Sequence, residues 1–352
     1  MTARRESRVR TVYVVISCDV DPDRVRLLDG VPPGGLTWRG VSDGIPALKD
    51  AVRGLTDAGG REPVFTWFLR ADEQIRHVHG AYEWFVRSHP SLLRSLQASG
   101  DELGWHPHFW RLDPRTGHWF QEVEDVAWQL DMLRGAHRAL ATALPTPLQS
   151  VRMGWSYHNN DTFEALESLG IAVDLSAIPG LRTFTRKPPV RAENLFDWRE
   201  TPREPYRPSR ADHRRAPRGA EPARRLLEVP CFVASSVPWG LVASVQLARK
   251  TGTLAPLWDA VRKPTYCINV TARPALFAPL VAYLRKVLAR PGAGPLVFET
   301  HFHADELVPN RSALYDLRSV RPNLHALVRV CHEAGAPLEF VPACRIPTLL
   351  AA

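Results

Sequence analysis

Three pairs of chemically capable side chains in this 352-residue chain are each separated by a single residue. Asp19 and Asp21 lie in SCDVDPD, His106 and His108 in DELGWHPHFW, and His301 and His303 in FETHFHADEL. Residues two apart share one face only if the backbone is extended, because side chains alternate along a strand. On a helix they diverge by about 200° and could not meet at one ion. Pro107 disfavours helix at His106 and pushes it toward an extended conformation, so the histidine pair can converge. Two carboxylates aimed at one point repel unless a cation lies between them or one takes a proton. One carboxylate with two imidazoles and open positions suits zinc first, and also cobalt, nickel or iron. The competing readings are a strand-end turn at Asp21-Pro22-Asp23 and partly exposed histidines stacked on Trp105 and Trp110. Either His301 or His303 would serve as a general acid near neutral pH without needing a metal.

These residues must be carried by elements that end at one place. TVYVVISCD, PVFTWFLR, DELGWHPHF, LQSVRMGW and IAVDLSA read as strands, each a short apolar or β-branched run closed by polar residues. Between them lie helices, the clearest with Val123, Val126, Leu130, Leu133, His137 and Leu140 at steps of three and four. NNDTFEALESLG is another, with Asn160 or Asp161 as N-cap. LLEVPCF, TYCINVT, PLVFETHFHA and PLEFVPA continue the strands, and no element is assigned between Phe232 and Thr265. Strands alternating with helices imply parallel pairing by right-handed crossovers. The expected fold is therefore an α/β barrel, in which chemistry collects at the carboxyl ends of strands. Asp19, Asp21, His106, His108, Arg152, His301 and His303 all fall at such ends. His158 follows the fourth strand and could also reach the rim. The remaining histidines, His213 among them, read as surface.

The bulk properties narrow the classes. No apolar run is long enough to span a membrane, and the basic amino-terminal stretch runs into a strand rather than a signal-peptide cleavage site. Five unpatterned cysteines without an export signal predict reduced thiols in the cytoplasm. The net charge of +8 is concentrated in an Arg/Pro-rich stretch, residues 182–225, inside what is expected to be a single domain over residues 1–352. That stretch reads as a solvated excursion, or else as a lid over an anionic substrate. Nucleic-acid binding is disfavoured because no recognition motif accompanies the charge.

At these residues the sequence resembles the polysaccharide deacetylase family, the NodB-type carbohydrate esterases. SCDVDPD is similar to the family's Asp-x-Asp motif, DELGWHPH to its histidine motif, and VRMGWSYHNNDTFEALESLGIAVDLS to its arginine motif. FDWRETP is similar to the Asp-Trp motif and FETHFHADEL to the final histidine motif. The resemblance implies a distorted (β/α) barrel of about seven strands and metal-dependent removal of an acyl group from nitrogen. It implies Asp19 as general base, Asp21 and His106 as metal ligands, and Arg152 as the group orienting Asp19. His303, ahead of His301, would protonate the leaving amine, with His301 otherwise at the substrate. Trp155 and Trp198 would wall the acyl pocket. The family's second histidine normally comes four residues after the first, a position held here by Trp110. His108 must therefore substitute, with His158 next in line.

The reaction so implied is hydrolysis of the acetamide of an amino sugar, in a glycan precursor or a small glycoside. A formamide or ureide C–N hydrolase and a catalytically impaired sugar-binding barrel are the other readings.

Overall fold

β1 (Val12–Val20) is buried over almost its whole length, as expected for a central strand of a parallel sheet covered on both faces. The computed structural model describes residues 10–23, 35–183, 196–251, 254–290, 292, 294–309 and 314–351. Its remaining strands are β2 (Phe65–Arg70), β3 (Glu102–His106), β4 (Trp110–Leu112), β5 (Trp119–Gln121), β6 (Ser150–Val151), β7 (Val173–Asp174), β8 (Arg182–Thr183), β9 (Phe196–Asp197), β10 (Leu227–Glu228), β11 (Leu296–His303) and β12 (Leu338–Phe340). The main sheet has eight strands in the order β10-β7-β6-β3-β2-β1-β11, with β12 also on β1. All of these pairings are parallel. β11 runs along Val12 to Asp19, whereas β12 takes Val12–Val14 and β2 takes Ile16–Val20. A strand has two edges, so β12 and β2 share one of them. Beyond β10, the Phe232 N–H donates to the Glu299 carbonyl at 2.9 Å and draws the two ends of the sheet together. The result is the distorted (β/α) barrel that the resemblance implies, its strands parallel as the alternation predicts.

Strand periodicity sorts the side chains. Val14, Ile16, Cys18, Trp67, Leu69, Phe298 and Phe302 join the large core between sheet and helices. Val15, Phe68 and Val297 join a smaller apolar cluster inside the barrel with Leu175, Val229 and Ile346. Continuing the inward register upward from Val15, Phe68 and Val297 gives Ser17, Asp19 and Asp21 on β1 and just past it, Arg70 on β2, and Glu299, His301 and His303 on β11. The barrel is apolar at its floor and polar at its carboxyl rim.

Several local expectations are revised. The helix Asn160–Ser168 is capped by Asn159, whose Oδ1 accepts from Thr162 N–H at 2.8 Å while Thr162 Oγ1 accepts from Asn159 N–H at 3.0 Å. That reciprocal box outcompetes Asn160 and Asp161 as caps. TYCINVT forms no named strand; Tyr266 and Ala272 make single antiparallel bridges to Ala234 and Tyr315. Two helices, Val237–Thr251 and Ala255–Arg262, fill the span left without elements. They expose Val237, Val242, Val245, Trp258 and Val261, so apolar residues also lie on their solvent side.

The Arg/Pro-rich stretch is not a solvated excursion where it is described. β8 and β9 pair antiparallel, and Tyr206 and Ser209 bridge to Glu228 and Ala223. Trp198 and Arg224 are 1% and 2% exposed. Its guanidinium groups are largely spent on neighbouring carboxylates: Arg199 on Asp197, Arg214 on Asp212, Arg215 on Glu221, and Arg210 on Glu167. Residues 184–195 lie outside the described residues. No helix among the described residues is long and apolar enough to cross a membrane.

Candidate active site

β1 and β11 bring Asp19 and His303 side by side in register, and the chain leaving β1 adds Asp21. His303 Nδ1 is 3.9 Å from Asp19 Oδ2 and 3.5 Å from Asp21 Oδ2. His106 ends β3; its Nε2 is 3.9 Å from Asp19 Oδ2 and 3.7 Å from Asp21 Oδ2. His108 Nε2 is 3.9 Å from Asp21 Oδ1 and 3.0 Å from His106 Nε2. One ligand atom from each of Asp21, His106 and His108 falls within 4.8 Å of the others, and all three residues are buried.

The backbone explains how two residues on one strand end converge. After β3 the His108 N–H donates to Asp72 Oδ2 at 3.1 Å, which keeps the Pro107 segment extended. His108 then packs against Gly154, where a Cβ would stand 2.1 Å from the imidazole Cγ. Beyond Gly154, Trp155 and Ser156 take φ of 55° and 52°, a left-handed pair costly for non-glycine residues and often found at functional sites. The turn sets Trp155 edge-on to Trp110, ring centroids 5.3 Å apart. Trp198 lies beneath it and donates its Nε1–H to the Ser156 carbonyl at 2.9 Å.

Two buried arginines hold the carboxylates. Arg152 follows β6; its Nε lies 3.3 Å from Asp19 Oδ1, and its Nη2 donates to Ser17 Oγ at 3.0 Å and to Glu299 Oε1. Arg70, at the end of β2, donates to Asp21 Oδ1 at 2.6 Å, to Gln74 Oε1 at 3.0 Å and to Asp72 Oδ2. Burial works to raise the Asp21 carboxyl, but Arg70 and then His106 outweigh it and hold it well below the usual range. Burial likewise works to lower His106, and Asp19 and Asp21 overcome it, so its pKa is raised. His108 has no such surplus: burial, then Arg70 and His106, push it well down.

The hydrogen-bond network assigns the tautomers. His106 Nδ1–H donates to the Arg152 carbonyl at 2.7 Å, so its Nε2 lone pair points into the cluster. This is the arrangement of a metal-binding histidine oriented by a backbone carbonyl. His108 is set the other way: Trp110 Nε1–H donates to its Nδ1 at 2.9 Å, placing the His108 proton on Nε2, toward His106. Asp21 and the tautomer of His106 therefore suit a divalent cation. His108 fits once the indole releases Nδ1 and the ring proton moves there.

His158 is held elsewhere, its Nε2 2.8 Å from Asp174 Oδ2 and its Nδ1 3.0 Å from Thr162 Oγ1. His213 is half-buried rather than fully exposed; it packs on Phe163 and Trp198, and burial pushes its pKa down to about 3. His301 sits one inward position below His303 on β11, with its Nδ1 3.9 Å from Cys231 Sγ. The reading from sequence overlooked Arg70, Glu299 and the Trp110 hydrogen bond. Arg70 carries the same signal as the residues it did select, a charge closing an apolar strand. Glu299 continues the alternation of His301 and His303 by one step.

No protein-family model and no curated protein matches the sequence. Among solved structures, the chain is similar to a candidate glycoside hydrolase/deacetylase from Parabacteroides distasonis, with 14% identity and a TM-score of 0.54 over 98% of this chain and 72% of that one. A candidate polysaccharide deacetylase from Mycobacterium smegmatis matches with 15% identity and a TM-score of 0.47 over 99% of this chain and 93% of that one. An allantoinase matches with 13% identity and a TM-score of 0.49 over 96% and 90%. At these identities the likeness is one of architecture. The barrel has the NodB-type polysaccharide deacetylase fold.

Proposed function

We propose that this chain is a metal-dependent amide hydrolase that removes the acyl group from an N-acylated amino sugar. The observation that carries the reading is the convergence of Asp19, Asp21, His106, His108 and His303 from three strand ends, with imidazole nitrogens 3.5–3.9 Å from carboxylate oxygens. Asp21, His106 and His108 would hold a divalent cation, zinc first and cobalt, nickel or iron as alternatives. When bound it would supply Lewis acidity and lower the pKa of water toward ~7. Asp19, oriented by Arg152, accepts the proton of the attacking water. His303, on the neighbouring strand, gives its proton to the departing amine, which could not otherwise leave at neutral pH. Arg152 is a positioning residue, itself held by Glu299 and Ser17. Trp155 presents an aromatic wall to the acyl group, while Trp198 fixes the turn that carries it. His301, one inward position below His303, contacts substrate from below the rim.

The test is a product assay over a panel of N-acetylated sugars, run with and without chelator. Chelator-sensitive acetate release supports the proposal, whereas formate or ammonia release would move the chain to non-sugar amides. The Trp110 hydrogen bond to His108 favours one other reading, a barrel whose metal site is impaired. Elemental analysis of the purified protein decides between them, since a stoichiometric divalent ion belongs to the enzyme.

A further inference from the structure

A second group of ligating side chains converges behind the rim. Cys231 follows β10 and is tied down by its N–H to the Ala177 carbonyl at 2.9 Å. Cys267 enters from the segment that Tyr266 pins to Ala234. The two sulfurs are 3.2 Å apart, and Cys231 Sγ is 3.9 Å from His301 Nδ1. One ligand atom from each of Cys231, Glu299 and His301 lies within 4.8 Å of the others. Glu299 is fully buried; its Oε1 accepts from Ser17 and Arg152, but its Oε2 has no hydrogen-bond partner among the described residues. Cys231 is buried, whereas Cys267 and His301 are half-buried and leave the group open on one side.

We propose that Cys231, Cys267 and His301, with Glu299 as the fourth donor, form a second cation site for a thiophilic divalent ion of the zinc and cadmium class. Two sulfurs and an imidazole select such ions over magnesium or calcium, which prefer all-oxygen shells. Sulfurs sharing a tetrahedral zinc stand ~3.8 Å apart, so the cysteines need open by only about half an ångström. The carboxylate supplies the remaining donor, and Arg152 offsets part of the negative charge that two thiolates and Glu299 would assemble. The site differs in kind from Asp21–His106–His108, which contains no sulfur, and its cation binding is read without reference to turnover, although it shares His301 and Glu299 with the surroundings of the proposed active site.

The probe is cadmium, titrated into the full chain after chelator treatment under a phosphine reductant. The ultraviolet thiolate-to-cadmium charge-transfer band reports sulfur ligation alone, so an ion at Asp21–His106–His108 is silent. The band should saturate at the amplitude of one thiolate-bound cadmium per chain, equally in the native protein and in Asp21→Asn. Cys267→Ser should lose most of the band, and His301→Ala should keep it while binding ~10-fold or more weakly. No saturable band in the native protein overturns the proposal. So does a band undiminished in Cys267→Ser, which would place cadmium on Cys18, Cys331 or Cys344, and so does unchanged affinity in His301→Ala. Cys231→Ser repeats the test from the buried side; if it fails to fold, the two half-buried positions still decide.

Discussion

Replacing Trp110 by phenylalanine tests which nitrogen of His108 carries the ring proton. In the folded chain the indole N–H occupies His108 Nδ1 at 2.9 Å, and the remaining proton lies between His108 and His106, whose Nε2 atoms are 3.0 Å apart. For His108 to offer Nε2 as a ligand, its proton must move to Nδ1, where it would oppose the indole N–H, a second donor. Trp110 is 4% exposed, so the displaced indole N–H finds little water. A buried donor left without a partner costs ~1–3 kcal/mol. Phenylalanine removes that donor while retaining an aromatic ring against Trp155. Trp110→Phe should therefore bind a divalent cation about 5- to 150-fold more tightly than the native protein, the range that this energy spans. The assay is competition with a chromophoric zinc chelator, after stripping, with the thermal midpoint followed to confirm folding. The same substitution in a His108→Ala background should give no gain, because the ligand whose tautomer is at issue is gone. A folded Trp110→Phe protein that binds no more tightly, or gains equally without His108, would refute the tautomer assignment.

Three further outcomes follow from the same geometry. Asp19→Asn should keep cation affinity at Asp21–His106–His108 and lose about 100- to 10,000-fold in turnover; acetate release close to native would remove Asp19 from the role of base. Gly154→Ala drives a methyl into the His108 ring, 2.1 Å from Cγ, and should weaken cation binding ~10-fold or more while costing about 1–3 kcal/mol in stability through overpacking; calorimetric titration and chemical denaturation check both. His213, with a folded pKa near 3 against an ordinary 6.5, stays neutral while the unfolded chain protonates. The unfolded state therefore binds more protons across that window, and stability falls as pH drops through it. His213→Gln should flatten the acid limb of the plot of Tm against pH, and an unchanged slope would show that His213 does not supply it.

The rim was legible because a strand writes its geometry into the sequence with period two. Asp19 and Asp21, His106 and His108, and His301 and His303 each announce a shared face, and each follows an apolar run that can only be a buried strand. What was illegible depends on neighbours far apart in the chain. Cys231 and Cys267 give no spacing signal, since one follows β10 and the other sits in a segment that fails to become a strand. The Arg/Pro-rich stretch looked solvated because composition alone cannot show that its arginines meet carboxylates such as Glu167 on another element.

Glu299 shows how the two kinds of information combine. Periodicity alone places it inward, below His301 and His303, where a lone buried carboxylate would be costly. Only the sheet order explains its presence: β1 puts Ser17 beside it, β6 delivers Arg152, and the end of β10 brings Cys231. Burial raises the Glu299 carboxyl, and Arg152 and then Ser17 work against that rise. One oxygen is thus committed to the arginine that holds Asp19, while Oε2, beside two thiols and an imidazole, has no hydrogen-bond partner among the described residues. The same residue therefore braces the proposed base on one side and completes the proposed thiophilic site on the other. Glu299→Gln should for that reason move two separate readouts, lowering turnover through Arg152 and weakening the cadmium–thiolate band. A loss of turnover with the band and its affinity intact would leave Glu299 a brace for Arg152 alone.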